Sequence, residues 1–207
     1  MQIRFEDLAW IAAPMPDGSG PVQLAQLPAL GDQAFRAFVR FPAGWSRHAT
    51  GYYPVHEEVF VLEGDLTFNG DTWRAGGYAW IPALASRRGL HAEQGALVLA
   101  WFSGPPRWKR GLAPIATREA MKSIASWETV PHGAIVGMPR AHVLRDTDTH
   151  RTWVTRATVS SVLADPLERL SISDRAWSWS EADERTNATS ASLWRTIRPA
   201  NRLSPAV

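Results

Sequence analysis

The chain has 207 residues, 45% of them hydrophobic, with a formal net charge of +2, which suits one substantial domain or two small ones with a buried core. Only two lysines occur, Lys109 and Lys122, and no stretch gathers basic residues into a stripe, which argues against a nucleic-acid-binding surface. Cysteine is absent, so disulfides, thiolate metal sites and cysteine nucleophiles are excluded, and any metal must be held by His, carboxylate or Tyr. The opening MQIRFEDLAW lacks a basic segment followed by an apolar run, and no window approaches the roughly 18 apolar residues of a membrane span. These features predict a cytoplasmic protein without membrane contact. The sequon Asn187-Ala188-Thr189 is, without a secretory signal, a chance match.

From Ala34 the chain reads as short β-branched and aromatic strands separated by Gly, Pro, Asn or Asp. Ala34 to Phe41 alternates, with Phe35, Ala37 and Val39 on one face and Arg36, Phe38 and Arg40 on the other. A turn at Pro42-Ala43-Gly44 is followed by a dense strand from Glu57 to Leu62, a break at Glu63-Gly64-Asp65, and a strand from Leu66 to Phe68 that enters a hairpin at Asn69-Gly70. Tyr78 to Ile81 and Ala96 to Phe102 complete six or seven strands in about 70 residues, the density of a barrel or jelly roll. After Gly104-Pro105-Pro106 the pattern changes. Ala120, Met121, Ile124 and Trp127 at helical spacing, with Thr117 as cap, predict one amphipathic helix over Thr117 to Glu128. Strands are expected again at Ala141 to Leu144, Thr152 to Val159, Leu167 to Ile172 and Ser192 to Ile197. A faint echo relates residues 32–40 to residues 148–156 in the placing of their aromatic, Val and Arg residues. The predicted organisation is therefore a β-barrel over residues 1–111 and, over 112–207, a helix plus β-rich extension that is a shortened second copy of the barrel or a dimerisation element.

Pro42-Ala43-Gly44, then His48, then His56-Glu57-Glu58-Val59-Phe60-Val61-Leu62-Glu63-Gly64-Asp65-Leu66 resembles the first motif of the cupin family. That motif runs Gly, five residues, His-x-His, three or four residues, Glu, six residues, Gly; here six residues separate Glu57 from Gly64. Gly76, five residues, Pro82 resembles the start of the second motif, which continues Pro-x-Gly-x-x-His. The run from Phe35 to Gly104 is similar to the branch holding the sensory domains of ChrR-type anti-sigma factors and several small-molecule dioxygenases. The resemblance implies an all-β fold, the cupin double-stranded β-helix or jelly roll, and commonly a homodimer. It also implies a divalent metal, iron, manganese, zinc or nickel, and no nucleotide cofactor.

The departures from the pattern bear on the site. The His-x-His slots fall at Gly51 and Tyr53, or one residue earlier, and hold no histidine; the second-motif Gly and His slots hold Leu84 and Arg87. Only Glu57 carries over directly. Because side chains alternate along a strand, Glu57 facing inward with Val59 and Val61 puts His56 and Glu58 on the opposite side. The best metal set is His48, His56, Glu57 and His91, with His48 swinging in as the first histidine on the loop before Pro54, Tyr53 or His56 (the latter only on a local bulge) as the second, and His91 returning from the next strand pair. Tyr53 or Glu58 is the candidate catalytic base, and Trp80, Arg87 and Trp101 are candidate pocket residues. The leading expectation is a metal-dependent dioxygenase, lyase or isomerase acting on a small polar organic molecule. The alternative is a metal-free ligand-binding or sensory cupin in which Arg87 and Arg88 at the barrel mouth receive a small anion by bidentate pairing. His132, His142 and His150, and the acids Asp146, Asp148, Glu181, Asp183 and Glu184, read as surface, turn or loop residues.

Overall fold

The structure is a computed structural model of the chain that describes residues 1–29, 34–115, 117, 119–135, 138–147, 150–156, 159–162, 166–180, 185–188 and 190–197. In chain order the strands are β1 (Gln2–Arg4), β2 (Ile11–Pro14), β3 (Pro21–Gln26), β4 (Phe35–Phe41), β5 (Trp45–Arg47), β6 (Gly51–Tyr52), β7 (Glu57–Phe68), β8 (Asp71–Arg74), β9 (Tyr78–Ile81), β10 (Leu90–Ala92), β11 (Ala96–Phe102), β12 (Lys109–Arg110) and β13 (Lys122–Ile124). They continue as β14 (His132–Ile135), β15 (Met138–Asp146), β16 (His150–Thr155), β17 (Val159–Val162), β18 (Leu167–Ser171), β19 (Ala176–Ser180), β20 (Arg185–Ala188) and β21 (Ser192–Ile197). Two 3-10 turns, Phe5–Asp7 and Trp127–Thr129, are the only helical elements among the described residues, so the all-β expectation holds. No helix is long and apolar enough to cross a membrane among those residues.

The chain divides into two compact units, one formed by Ala9–Ser126 and the other by Met1–Leu8 with Trp127–Val207. In the first, the main sheet runs β13-β9-β7-β11-β4-β3-β2, and β5, β8 and β10 branch from it. The 12-residue β7 joins the two parts. Its first residues pair with β9 and β11, from Glu57↔Ile81 and Glu57↔Phe102 onward, and its last pair with β8, Asp65↔Arg74 to Phe68↔Asp71, while Thr67 faces His91 of β10. The expected break at Glu63-Gly64-Asp65 is thus a bend inside one strand. The register against β11 slips between Leu97 and Val98, and Gly64 takes φ +70° at that point. The sheet folded over in this way encloses a core that includes Val39, Phe41, Trp45, Val59, Val61, Leu66, Phe68, Trp73, Ile81 and Val98, each 8% exposed or less. Burying each large side chain contributes roughly 1.5–3 kcal/mol. Phe35, Val39 and Phe41 face a cavity inside this core, as the alternation places them; of the opposite face, Arg40 is exposed but Arg36 and Phe38 are buried, at 1% and 0% exposure. The Asn69-Gly70 hairpin also forms, with φ +53° and +93°, the pair of positive values a type I′ turn requires.

The helix predicted over Thr117 to Glu128 is not formed. Lys122–Ile124 instead pairs antiparallel with β9, Lys122↔Trp80 to Ile124↔Tyr78, and Trp73 Nε1 donates to Ser123 Oγ at 2.5 Å. The apolar spacing is real, since Ile124 and Trp127 are buried, but the open edge of β9 offers backbone partners and satisfies the same residues as a strand. In the second unit a seven-stranded sheet runs β1-β19-β18-β21-β16-β15-β14, beside a separate β17–β20 pair. The four strands expected there appear as β15, β16, β18 and β21. Trp153 and Trp194 are directly opposed across β16 and β21 and stack with ring centroids 6.4 Å apart. Asp148, Glu181, Asp183, Glu184 and Thr189 of the sequon lie outside the described residues.

Candidate functional site

The chain places Arg87 first by its backbone. Gly51 N–H donates to the Arg87 carbonyl at 3.0 Å and Arg87 N–H returns the bond to Gly51 at 2.8 Å. That bridge brings the slot of the second motif against the slot of the first. Leu84, in the left-handed region at φ +64°, turns the chain toward it, with Leu84 N–H bonded to the Tyr53 carbonyl. The Arg87 guanidinium then lies 4.6 Å from the Tyr53 ring centroid, and its Nη1 makes an ion pair with Glu57 Oε2. The four positions that the motifs mark for metal ligands, Gly51, Tyr53, Glu57 and Arg87, therefore do converge, but as a bare backbone, a phenol, a carboxylate and a guanidinium.

Around this centre is a cavity of about 220 Å³. Its wall is apolar, from residues such as Val39, Phe41, Val59, Leu66 and Val98, except for Arg47, Tyr53, Glu57 and Arg87. These four are 2%, 5%, 9% and 3% exposed. Arg47 lies on the same face of β5 as buried Trp45, two residues on, and stacks its guanidinium 3.7 Å from the Trp108 ring centroid, with Nη1 3.4 Å from Tyr53 Oη. Trp108 is held in turn by Asp17, whose Oδ2 accepts from Trp108 Nε1 at 2.8 Å and which also pairs with Arg110. Hydrogen bonds from Arg110 and Trp108 hold the Asp17 carboxyl below its ordinary pKa. Burial lowers Arg87 to about 9; Arg47 pushes the same way and Tyr53 opposes, and the guanidinium stays a cation at neutral pH. Its Nε and Nη2 are buried with no hydrogen-bond partner among the described residues.

The predicted metal quartet is not brought together, and among the described residues no three His, Asp or Glu side chains gather as a metal site. His48 Nε2 sits 3.4 Å from Ser46 Oγ. His56 stacks on Trp80 with centroids 5.7 Å apart and accepts Ala83 N–H on Nδ1, and His91 Nδ1 donates to the Gly89 carbonyl at 3.0 Å. The first-motif slot at Gly51 has no room for a histidine, since a Cβ there would meet the Trp108 ring at 2.2 Å and the Lys109 carbonyl at 2.5 Å. The residues present do not fit a divalent metal at this centre. Of the other expected site residues, Tyr53 and Arg87 line the cavity, whereas Glu58, Trp80 and Trp101 do not. Glu58 accepts from Tyr78 Oη at 2.9 Å. Arg88 bonds Asn69 Oδ1 through its backbone. His142, expected at the surface, is 8% exposed and donates from Nδ1 to the Val130 carbonyl, because β15 packs its ring edge-on against Trp127. Arg47, Asp17 and Trp108 were not legible as site residues, and the one local signal was the Trp45-Ser46-Arg47 alternation.

A sheet folded on itself by one long bent strand, with an inward centre where the two motifs meet, is the cupin jelly roll, and this chain has the cupin fold. No family model and no curated protein matches the sequence. Solved structures do. A proposed dioxygenase from Nostoc punctiforme superposes with a TM-score of 0.74 at 14% identity, covering 100% of this chain and 85% of its own. Protein Ylba from E. coli gives 0.60 at 10% identity over 95% and 89% of the two chains. A proposed glyoxylate-induced protein from Pseudomonas aeruginosa gives 0.58 at 11% identity over 95% and 88%. At these identities the likeness concerns the fold, and the site has to be read from its own residues.

Proposed function

We propose that this protein is a cupin whose metal centre has been replaced by a buried Arg87–Glu57 ion pair, and that it binds a small, largely apolar molecule in the adjoining cavity without a metal. The observation that carries the reading is the pairing itself: the carboxylate that the motif assigns to the metal is engaged by the guanidinium standing in the second-motif histidine slot. The Trp108 ring beside Gly51 supports it from the other side. A pre-formed apolar cavity with a few convergent polar groups is the usual form of a small-molecule site.

Elemental analysis of untagged protein purified without chelator tests this reading. Metal well below one equivalent, unchanged in Glu57→Ala, is expected. Stoichiometric metal that disappears in the variant would overturn the proposal and restore the metal-dependent enzyme.

The Trp127–Val207 part, with Met1–Leu8, is proposed as a reduced second lobe. Supporting this, the echoed segments overlap β4 and contain β16, each flanked by strands on both sides in its own sheet. Native-state hydrogen exchange in Arg87→Met is expected to rise across Ala9–Ser126 and to change little in the other unit; a uniform rise would remove the reading.

A further inference from the structure

We infer that the ligand of the cavity is a compact monocarboxylate with an apolar body, an inference that rests on the metal-free reading above. The charges lining the cavity are Arg47, Arg87 and Glu57, two cations against one anion, so the wall carries a net +1. All three are nearly removed from water, where an unbalanced charge is far more costly than at the surface. The next carboxylate on the Arg47 side, Asp17, acts on Arg47 only through space, as the weakest of its interactions, and is hydrogen-bonded to Trp108 and paired with Arg110. A single negative charge brought by the ligand completes the balance, and a second one would face Glu57 with no cation left to meet it.

The form of the anion follows from Arg87. Glu57 engages only Nη1, leaving Nε and Nη2 as an unpartnered edge of the guanidinium. Those two N–H groups have the spacing that a carboxylate's two oxygens match in a bidentate pair. Both nitrogens are buried, so seating a carboxylate on them requires the side chains packed against the guanidinium to move aside. The rest of the wall offers almost no polar partner, so the body of the ligand must be apolar. Its size is bounded as well. A cavity of roughly 150 Å³ holds benzene, and the volume here is about 220 Å³, which fits one ring or a branched chain together with the carboxylate.

Calorimetric titration of the whole protein with benzoate, phenylacetate and 4-methylpentanoate, each beside its neutral amide, and with succinate, tests the inference. The monocarboxylates are expected to bind about tenfold or more tightly than the amides and succinate. Arg47→Gln, which removes one of the two cavity cations without touching the Arg87–Glu57 pair, is expected to cut the ratio of acid to amide affinity severalfold, whatever happens to the amide affinity itself. Equal binding of acid and amide, unchanged in Arg47→Gln, would overturn the ligand class and leave the metal-free pocket standing. The absence of binding by every monocarboxylate in the set would also overturn it. Stoichiometric Glu57-dependent metal would instead overturn the reading on which it rests.

Discussion

Arg87→Met is expected to lower stability by about 3–5 kcal/mol, read as a shift of the urea midpoint at unchanged slope, and the double substitution Arg87→Met, Glu57→Leu to recover most of that loss. The reason is an asymmetry in what each change leaves behind. With both partners present, two buried charges compensate each other; removing the cation alone strands a carboxylate that is 9% exposed inside an apolar wall. Removing both leaves a cavity whose wall is apolar except for Arg47 and Tyr53, with Arg47 still stacked on Trp108, which such a core tolerates better than a stranded carboxylate. A loss under about 1 kcal/mol in the single variant would mean that Glu57 reaches water or another cation, and the centre described above would be wrong.

Gly64→Ala is expected to cost about 2–5 kcal/mol, from overpacking and backbone strain together, whereas Gly70→Ala costs about 1–2 kcal/mol from strain alone. Both glycines have positive φ, +70° and +93°, so both substitutions carry the same kind of backbone penalty. They differ in surroundings. A Cβ at Gly64 would lie 1.9 Å from the Gly95 carbonyl oxygen, where β7 bends against the turn before β11, while a Cβ at Gly70 meets nothing within 4 Å. Thermal or urea unfolding of the two variants side by side checks this. Similar losses would show that the bend in β7 can open, and that the close approach of the two strands is not what holds the cavity's shape.

The legible parts of the molecule share one property: they depend on near neighbours in sequence. Alternation in β4 and β7 correctly assigned Glu57 to the interior. It also put His56 and Glu58 outside the cavity wall, where His56 stacks on Trp80 and Glu58 receives Tyr78. The Asn69-Gly70 turn was readable because positive φ is written in those residue types. The helix expected over Thr117 to Glu128 failed for the opposite reason. Its spacing was satisfied by a strand edge, β9, that lies some forty residues earlier and cannot be seen in the window itself.

The amino-acid sequence by itself determined an all-β chain of short strands, and its motif resemblance marked the cupin fold and the slots at Gly51, Tyr53, Glu57 and Arg87, since strand period, turn residues and motif spacing are local quantities that survive without knowledge of contacts; the metal set read from it, His48, His56, Glu57 and His91, was not the group that converges. Only the tertiary structure decided what the centre is made of. Asp17 and Trp108 are 91 residues apart and meet through one hydrogen bond, which sets the Trp108 ring where a side chain at Gly51 would stand and under the guanidinium of Arg47. Whether a buried carboxylate meets a metal or an arginine depends on which distant groups close around it, and that is fixed by packing in three dimensions, where charge compensation in a low-dielectric interior outweighs any preference readable along the chain.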